Sequence, residues 1–296
     1  MIISDIKHVL NFRYDPKTYL NNYGIDLYGK TLQDYPLVFD HFKLVVHIDG
    51  YYVNYDAPSN DVSCTPKLVK NLPRIIKNNA LKSFGNLVCC GADRDLSLDL
   101  DILDQIKSKF NKIYYEAKDV ECDWVQTLPM GMNMAYMILN GGNDILKHIN
   151  KQKNKTKLAA SAFGSKYPEL TNKIENRSSL ETFTKNSDLV DDMFCDPLVY
   201  YERLCEYKFF LAPLGNGIQT PKICECIMCE TVPVVTDHVA HRELRDIYGL
   251  PLLIVNEWTD ITEELLNEQW YLVYSNIDWN EQKSKFLVKN FNKLLT

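Results

Sequence analysis

The residues with the clearest chemical potential lie between Tyr207 and Val235, in the segment YKFFLAPLGNGIQTPKICECIMCETVPVV. Apolar residues from Phe209 to Ala212 predict a buried strand, and Gly215 and Gly217 follow on either side of Asn216. Glycines at this spacing let the backbone turn sharply and leave room for a ligand. The pattern predicts a strand, a glycine-rich loop, a short helix and a second strand, an order that builds phosphate sites.

The residues after this loop predict a helix whose first turn binds an anion. Thr220 is a suitable N-cap, and Pro221 suits the first helical position because its missing N–H has no intrahelical partner there. The free N–H groups of that turn, the helix dipole and Lys222 favour a diphosphate. Glu225 lies one turn deeper, where its carboxylate can accept hydrogen bonds from two ribose hydroxyls. An ordinary strand-to-helix loop, with Lys222 and Glu225 at the surface, also fits the pattern.

Thiol and imidazole groups in the same region offer a second chemistry, a structural zinc site. Cys226 and Cys229 form one pair, His238 and His241 form another, and Cys224 adds a third thiol. Only eight residues separate the pairs, and they contain the apolar run VPVV, which the first interpretation uses as a buried strand. Free cysteines on a helix are commonly buried, and no local motif supports a cysteine nucleophile. We therefore prefer the phosphate site and keep zinc as an alternative.

The same stretch resembles the C-terminal motif of the exostosin-like glycosyltransferases, a family of the GT-B class. The matching residues are Pro213, Gly215, Asn216, Gly217, Lys222, Glu225, Val232, Pro233, Val234 and Val235. Two positions depart from the family. Lys222 stands where Arg is usual, which keeps the charge but loses bidentate geometry toward phosphate. Glu230 or Thr231 replaces the glycine that usually precedes the second strand.

Three weaker matches lie upstream, in the order that the family shows. LVCCGADRDLSL, residues 87–98, resembles the family's strand followed by an acidic loop, and WVQTLPMGM, residues 124–132, resembles its segment after a later strand. LAASAFGSKYPELTNKIENR, which ends at Arg177, resembles the strand, loop and arginine between the main motifs of the two domains. With these matches the resemblance covers roughly residues 85 to 260.

The resemblance implies an α/β fold of the GT-B class, with two Rossmann-like domains whose parallel sheets face a central cleft. It implies a glycosyltransferase that moves a sugar from a UDP-sugar, such as UDP-xylose or UDP-galactose, to a glycan hydroxyl on an oligosaccharide or glycoprotein. We expect inversion at the sugar and no requirement for a metal or other cofactor. The donor-binding residues are then Arg177, Gly215, Asn216, Gly217, Thr220, Lys222 and Glu225.

Two other functions stay open at this stage. Fucosyltransferases that use GDP-fucose carry a T-E-K motif before a similar V-P-V strand, and Thr220, Pro221 and Lys222 mimic it except for the missing acid. A non-catalytic protein that binds a nucleotide-sugar or a glycan would keep the fold and lose the turnover. Donor binding without transfer or hydrolysis would identify it.

Inverting transfer needs a base that takes the proton of the acceptor hydroxyl, and aspartates after predicted strands are the candidates. Asp93 and Asp95 follow the strand predicted near Leu87, and Asp49 follows an earlier strand. Loops at the carboxyl ends of parallel strands collect ligand groups. We rank Asp95 first, then Asp93, then Asp49, although the acidic run that contains Asp93 and Asp95 is also typical of a helix start.

Composition disfavours several classes of function. A formal charge of −6 argues against a nucleic-acid partner, which needs a net basic face. Nine cysteines, with Cys89 and Cys90 adjacent, suit a reducing compartment better than a disulfide framework. The sequence has no apolar run long enough for a membrane span and no secretory signal pattern. We therefore expect a cytoplasmic protein, comparable with bacterial or viral members of the family rather than the membrane-anchored animal ones.

The length of 296 residues fits two domains of about 150 residues each. A basic run from Lys147 to Lys157 is the best candidate for the boundary, although a solvated helix end also explains it. We expect an acceptor-side domain at residues 1–152 and a nucleotide-sugar domain at residues 153–275. A final helix at residues 276–296 is expected to cross back onto the first domain, as in the resembled class.

Hydrophobic periodicity predicts strands that alternate with helices, which indicates parallel sheets covered on both faces. Strands are predicted at residues 44–48, 86–90, 112–115, 124–128, 158–163, 209–212, 232–236 and 252–255. Helices are predicted at residues 97–111, 133–149, 198–207, 240–248, 262–271 and 281–295.

Overall fold

A computed structural model of the protein describes residues 51–53, 62–64, 69–70, 72–73, 85–89, 94–132, 154–163, 171–215 and 217–286. Strands in this part of the chain form two five-stranded sheets. The first sheet contains β1 (Tyr51–Val53), β2 (Val62–Cys64), β3 (Leu87–Cys89), β4 (Ile113–Tyr115) and β5 (Val125–Thr127). The second contains β6 (Lys157–Ser161), β7 (Val190–Asp192), β8 (Tyr207–Leu211), β9 (Val232–Thr236) and β10 (Leu253–Val255).

Both sheets consist mainly of parallel strands. In the first sheet the order is β1-β2-β3-β4-β5, and β1 runs antiparallel to β2 while the other pairs are parallel. In the second sheet the order is β10-β9-β8-β6-β7, and every pair is parallel. The predicted α/β class with parallel-strand sheets is therefore confirmed, with the antiparallel β1 as an exception that the sequence did not indicate.

Helices connect and cover these strands. The α-helices of the described residues are α1 (Leu100–Ile106), α2 (Thr171–Lys185), α3 (Pro197–Leu204), α4 (Lys222–Met228), α5 (Val239–Asp246), α6 (Glu263–Leu272) and α7 (Trp279–Lys285). None of the helices in this part of the chain is long and apolar enough to cross a membrane.

Strand β8 shows why the second sheet needs helices on both faces. Phe209 and Phe210 are adjacent and both fully buried, and successive side chains of a strand point to opposite faces. Phe209 belongs to a core cluster with Leu180 of α2, whereas Phe210 belongs to a cluster with Ile223 of α4. A continuous apolar run is thus buried on both sides, as expected for a central parallel strand.

Most predicted strands occur within two residues of their expected bounds, but β1, β2, α2 and β7 were not predicted. Helix α2 carries mostly polar residues, so its apolar periodicity is weak, and β7 is a short edge strand of which only Val190 is buried. The helix predicted to reach Tyr207 instead ends at Leu204. It stops there because the Glu206 carbonyl accepts hydrogen bonds from the main-chain N–H groups of Thr156 and Lys157, which brings the chain alongside β6.

The C-terminal helix packs on the second sheet's side of the molecule. Helix α7 begins two residues before its predicted start, after the cap residue Asp278, and Lys283 Nζ lies 2.7 Å from Glu230 Oε1 beyond α4. Phe286 joins the same core cluster as Ile223. The crossing onto the first domain stays a prediction, because residues 287–296 lie outside the described residues. The predicted strand at 44–48, the predicted helix at 133–149 and the predicted boundary at 152 lie outside them as well.

Candidate functional site

The glycine-rich segment leaves the second sheet where the strand order reverses. β6 lies between β7 and β8, so the chain first moves from β6 toward one edge and later continues from β8 toward the other. In open α/β sheets, ligands bind in the crevice that such a reversal creates at the carboxyl ends of the strands. Here the two strands at the reversal end at Ser161 and Leu211, and residues 212–220, which we call the glycine loop, begin directly after Leu211.

Close packing within the glycine loop explains why residue 215 is a glycine. A Cβ atom at Gly215 would lie 2.9 Å from the carbonyl oxygen of Gln219 and 3.5 Å from that of Gly217. Gly215 is therefore needed because the loop folds back on its own backbone. The sequence predicted a sharp turn here, and the structure gives its steric reason. Asn216 lies outside the described residues, so its predicted donor contact stays a prediction.

In the second half of the glycine loop, residues 217–220, the main-chain N–H groups are available to a ligand. Gly217, Ile218, Gln219 and Thr220 are all buried. Their main-chain N–H groups donate no hydrogen bond within the part of the chain that the structure describes. Buried N–H groups normally find an acceptor, and successive N–H groups in a turn form concavities that bind anions. This loop can therefore receive a phosphate group.

Helix α4 starts as the sequence predicts. Its hydrogen bonding begins at Lys222, but Pro221 already has helical dihedral angles, φ −53° and ψ −21°. Thr220 Oγ1 accepts a long hydrogen bond of 3.4 Å from the Lys222 N–H. We therefore place the cap at Thr220, with Pro221 in the first turn.

Gln219 fastens the glycine loop to the first sheet. Its side chain is buried, and Nε2 donates to the carbonyl oxygens of Glu116 at 2.6 Å and Leu128 at 2.7 Å. Its Oε1 accepts from the Met130 N–H at 3.0 Å. All three partners lie within three residues of the carboxyl end of β4 or β5, so one amide joins the carboxyl ends of both sheets. Sequence reasoning missed Gln219, because no local signal marks a residue whose partners are about a hundred positions away.

Arg177 lies beside the glycine loop, and its neighbour Asn176 organises the surrounding segments. Arg177 Nε donates to the Leu214 carbonyl at 2.8 Å. Asn176 Oδ1 accepts from the Leu214 N–H, its Nδ2 donates to Thr236 Oγ1, and its carbonyl accepts from the Trp258 indole, each at 3.0 Å. Asn176 thus joins the carboxyl ends of β8, β9 and β10. The family motif pointed to Arg177, and no sequence signal pointed to Asn176.

Lys222 and Glu225 lie together on α4 but face the protein interior. Lys222 Nζ is 3.1 Å from Glu225 Oε2, and it is 3.8 Å from the centre of the Tyr200 ring. The Glu225 side chain is fully buried, and that of Lys222 is 14% exposed. They are therefore not the surface residues of the ordinary-loop alternative. They form a covered ion pair, supported by a cation–π contact, directly after the glycine loop.

Glu230 occupies a backbone position that normally suits glycine. Its φ is +60°, the Glu230 N–H donates to the Ile227 carbonyl, and the Thr231 N–H donates to the Cys226 carbonyl at 2.9 Å. These two bonds end α4 in a Schellman motif with Glu230 in the left-handed position. The missing glycine of the family pattern therefore corresponds to Glu230, and its contact with Lys283 is one compensation.

Replacing Glu230 with glycine is expected to give a more stable protein than replacing it with alanine. Both variants lose the contact with Lys283, but only glycine relieves the left-handed backbone, which costs a side-chain-bearing residue about 1 kcal/mol. Urea unfolding of the two variants should show this difference. Equal stability of Glu230→Gly and Glu230→Ala would contradict the assignment.

Of the three aspartates predicted as the base, Asp95 is the one that the structure describes. Asp93 and Asp49 lie outside the described residues. Asp95 is half-buried directly before a 3-10 turn, Leu96–Leu98, and its side chain makes no cap hydrogen bond there. Its charge acts to raise the pKa of His238, which lies two residues after β9. Asp119 also acts on His238 and binds the main-chain N–H of Ser97 at 2.8 Å.

Two histidines, His238 and His241, lie at the start of α5, near the carboxyl end of β9. His238 Nδ1 accepts a hydrogen bond from the Ala240 N–H at 3.4 Å, and His241 Nδ1 lies 2.7 Å from the Thr236 carbonyl. Burial lowers the pKa of His241 to about 4, so its ring is neutral at neutral pH. Burial also lowers the pKa of His238, against the opposing effect of Asp119. Sequence reasoning considered these rings only as zinc ligands.

The three thiols of the zinc alternative lie in the protein core. No group of three or more His, Cys, Asp or Glu side chains within the described ranges is arranged to hold a metal ion. Burial raises the pKa of the Cys224, Cys226 and Cys229 thiols. These cysteines pack in the core instead, as free cysteines commonly do.

The described residues define an α/β protein with two parallel-strand sheets, compatible with a Rossmann-like fold, and a loop at the strand-order reversal that can receive a phosphate. No protein-family model matches the chain, and no curated protein matches it. The function is therefore argued from the residues of the site.

Proposed function

We propose that the protein is a GT-B glycosyltransferase that transfers a sugar from a UDP-sugar, such as UDP-xylose or UDP-galactose, to a hydroxyl group of a glycan. The observation that carries the proposal is the position of the glycine loop. It leaves the second sheet at the strand-order reversal, and Gln219 holds it against the first sheet. Its N–H groups at residues 217–220 donate no hydrogen bond to any residue that the structure describes. A nucleotide diphosphate matches such a loop in charge and in location.

In this proposal the two sheets belong to the two Rossmann-like domains of the GT-B class, and their carboxyl ends face a shared cleft. The donor lies on the second sheet, and the glycan acceptor approaches from the first. Hydrogen bonds already join the two sides, since Gln219 contacts the segments after β4 and β5. Binding at such a junction lets each sheet present one substrate to the other.

The departing diphosphate is stabilised by the glycine loop and by Arg177. As the bond between the anomeric carbon and the diphosphate oxygen breaks, negative charge grows on that oxygen. Loop N–H groups and the guanidinium of Arg177 meet that charge, and Arg177 is already held at the loop through Leu214. This arrangement needs no metal ion.

The Lys222–Glu225 pair lies in the first turn of α4, next to the end of the glycine loop. In the described conformation the Glu225 carboxylate is covered, so contact with a ribose requires the pair to separate. Lys222 brings positive charge to the end of the loop, and that charge is partly balanced by Glu225. The pair thus favours an anion next to the loop without leaving an unpaired charge in the core.

The proton of the acceptor hydroxyl goes to a carboxylate that follows a strand of the first sheet. We assign Asp95, which lies after β3, as this base. In an inverting transfer the acceptor oxygen attacks the anomeric carbon and gives its proton to the base, while UDP leaves with the bonding electrons. The negative charge of Asp95 acts on the pKa of His238, so the carboxylate lies within electrostatic range of the segment that follows β9. Asp93 and Asp49 remain the second and third candidates.

Replacing Gly215 with alanine is expected to weaken UDP binding at least about tenfold, which corresponds to about 1.4 kcal/mol. The added Cβ would lie 2.9 Å from the Gln219 carbonyl, so the loop has to shift. Isothermal titration of both proteins with UDP gives the two dissociation constants. The matched control is Glu230→Ala at the far end of α4, which should bind UDP within about twofold of the wild type. Wild-type affinity in Gly215→Ala would argue against the loop as the donor site.

Turnover separates the enzyme from a non-catalytic binding protein of the same fold. The proposal predicts release of UDP from one UDP-sugar when a suitable glycan is added, and loss of that release in Asp95→Asn. Donor binding with no release of UDP across a broad glycan panel would favour the binding protein.

A further inference from the structure

Two buried thiols, those of Cys205 and Cys229, meet in the core beside the second sheet. Their side chains are 2% and 3% exposed, and both belong to the core cluster that contains Ile223. One acceptor receives a hydrogen bond from each residue. The Tyr201 carbonyl lies 3.2 Å from the main-chain nitrogen of Cys205 and 4.0 Å from Cys229 Sγ. The two side chains also share a hydrogen bond, so their sulfur atoms are in contact while both residues are thiols.

The backbone on each side of this pair is anchored at one buried hydroxyl group. Thr231 Oγ1 donates to the carbonyl of Leu204, the residue before Cys205, at 2.9 Å. Lys155 Nζ donates to the same Oγ1 at 2.9 Å and to the Cys229 carbonyl at 2.7 Å. A disulfide requires its two Cβ atoms to lie about 3.5–4.5 Å apart. Anchored thiols in contact meet this requirement with little movement of the backbone.

The pair brackets the unit that carries the glycine loop. Cys205 lies two residues before β8, and Cys229 is the C-cap of α4. A bond between the two sulfur atoms therefore closes a covalent ring that contains β8, the glycine loop and α4. Cys224 and Cys226 also lie on α4 and in the same core cluster, which makes them an internal comparison.

We infer that Cys205 and Cys229 form a redox-active pair, which closes to a disulfide in the presence of a low-molecular-weight disulfide such as oxidised glutathione. The inference concerns a modification of the protein and does not depend on the proposed function. The thiolate of one cysteine attacks a sulfur of oxidised glutathione, and one glutathione thiolate leaves. The thiolate of the other cysteine then attacks the mixed disulfide and releases the second glutathione. Two protein thiols are oxidised, one glutathione disulfide is reduced, and the two leaving thiolates take up the protons.

Exchange of this kind takes place in molecules that have opened locally. Burial raises the pKa of Cys229, against the opposing charge of Lys155, so little thiolate is present in the closed structure. Local opening at the end of α4 exposes the thiol, and closure brings the two sulfur atoms back into contact. Equilibration over hours is therefore the appropriate experiment.

Equilibration of the full chain in glutathione buffers, from fully reduced to oxidised, tests this assignment. Remaining thiols are blocked with a maleimide, and the protein is digested with trypsin without reduction. The tryptic peptide LCEYK, residues 204–208, contains Cys205 as its one cysteine, and Cys229 lies in the peptide of residues 223–242. We expect the two peptides as one linked species whose fragmentation places the bond at Cys229, and dithiothreitol should separate them.

Two alanine variants within the second peptide are matched controls. Cys229→Ala should lower the yield of the cross-link to LCEYK at least about tenfold, whereas Cys226→Ala should keep it within about twofold of wild type. Urea unfolding gives a second readout. Closing the ring should raise the urea midpoint of oxidised wild type above that of the reduced protein, and oxidation should leave the midpoint of Cys229→Ala unchanged.

The outcomes decide the inference without involving the nucleotide site. Wild-type protein that lacks this cross-link after equilibration, or that carries the bond at Cys224 or Cys226, would overturn it. A lower urea midpoint in the oxidised wild type would show that the bond distorts the fold, which contradicts two thiols arranged to close. Should an alanine variant fold poorly, the peptide map and the urea midpoint of wild type still decide.

Discussion

Replacing Lys118 with methionine should lower the free energy of unfolding by about 3–5 kcal/mol. The Lys118 side chain is 1% exposed, and its ammonium group uses all three protons. Nζ donates to the Cys122 carbonyl at 2.9 Å, to the Val125 carbonyl at 2.6 Å, and to Glu243 Oε1. Methionine fills similar space but donates nothing, so two carbonyls and a largely covered carboxylate lose their partner. Urea unfolding at neutral pH measures the loss.

Glu243 makes this contact a link between the two sheets. It lies on α5, beside the second sheet, and its Oε2 accepts from the Thr127 N–H of β5 at 2.7 Å. Adding Glu243→Gln to Lys118→Met removes the orphaned charge, so the double variant should be more stable than the sum of the two single losses predicts. Lys185→Met is the matched control, since that lysine is 70% exposed and its loss should cost less than about 0.5 kcal/mol. A loss below about 1 kcal/mol in Lys118→Met would contradict the buried link.

Acidification should destabilise the protein through His241. Burial lowers its pKa in the folded state to about 4, from an ordinary value of 6.5. Because the folded pKa is the lower one, the unfolded chain binds the proton first as pH falls. The stability contributed by the neutral ring is present above pH 6.5 and is lost progressively down to pH 4, by about 3 kcal/mol in all.

The variant His241→Asn isolates this contribution. Asparagine keeps a donor for the Thr236 carbonyl but does not titrate in this range. The stability difference between wild type and variant, measured by urea unfolding at several pH values from 7 to 4, should therefore shrink by about 3 kcal/mol as pH falls. The pKa of His238 is also lowered, so both proteins retain a smaller common pH dependence. Parallel pH profiles would contradict the assignment of a buried neutral ring to His241.

The elements of the second sheet that carry the glycine loop could be predicted because their signals are local. The apolar runs of β8 and β9, the paired glycines and the Thr220–Pro221 helix start each depend on neighbouring residues. The signal at the position after α4 is also local, because the left-handed backbone there favours glycine. The sequence indicated that the glycine was missing, and the φ of +60° shows that Glu230 takes its place.

The groups that assemble the site could not be predicted, because their roles depend on distant contacts. Gln219 contacts Glu116 across 103 positions, and Asn176 contacts Trp258 across 82. Whether a side chain is buried also depends on residues that are distant in the sequence. The sequence left Lys222 and Glu225 between a ligand site and the surface, whereas packing against Tyr200 makes them a covered pair. His241 looked like half of a zinc pair until burial and the Thr236 carbonyl gave its ring one defined tautomer.

The central claim is that the glycine loop binds a uridine nucleotide-sugar, and calorimetric titration of the wild-type protein tests it most directly. UDP, GDP, CMP and their sugar conjugates are compared, each with and without EDTA. The account predicts that UDP and one UDP-sugar bind, that GDP and CMP bind more weakly, and that EDTA changes nothing. A nucleotide at one hundred times its dissociation constant should also stabilise the fold by about 2.7 kcal/mol. Binding of GDP in preference to UDP would favour the fucosyltransferase alternative, and the absence of binding by every nucleotide would contradict the account.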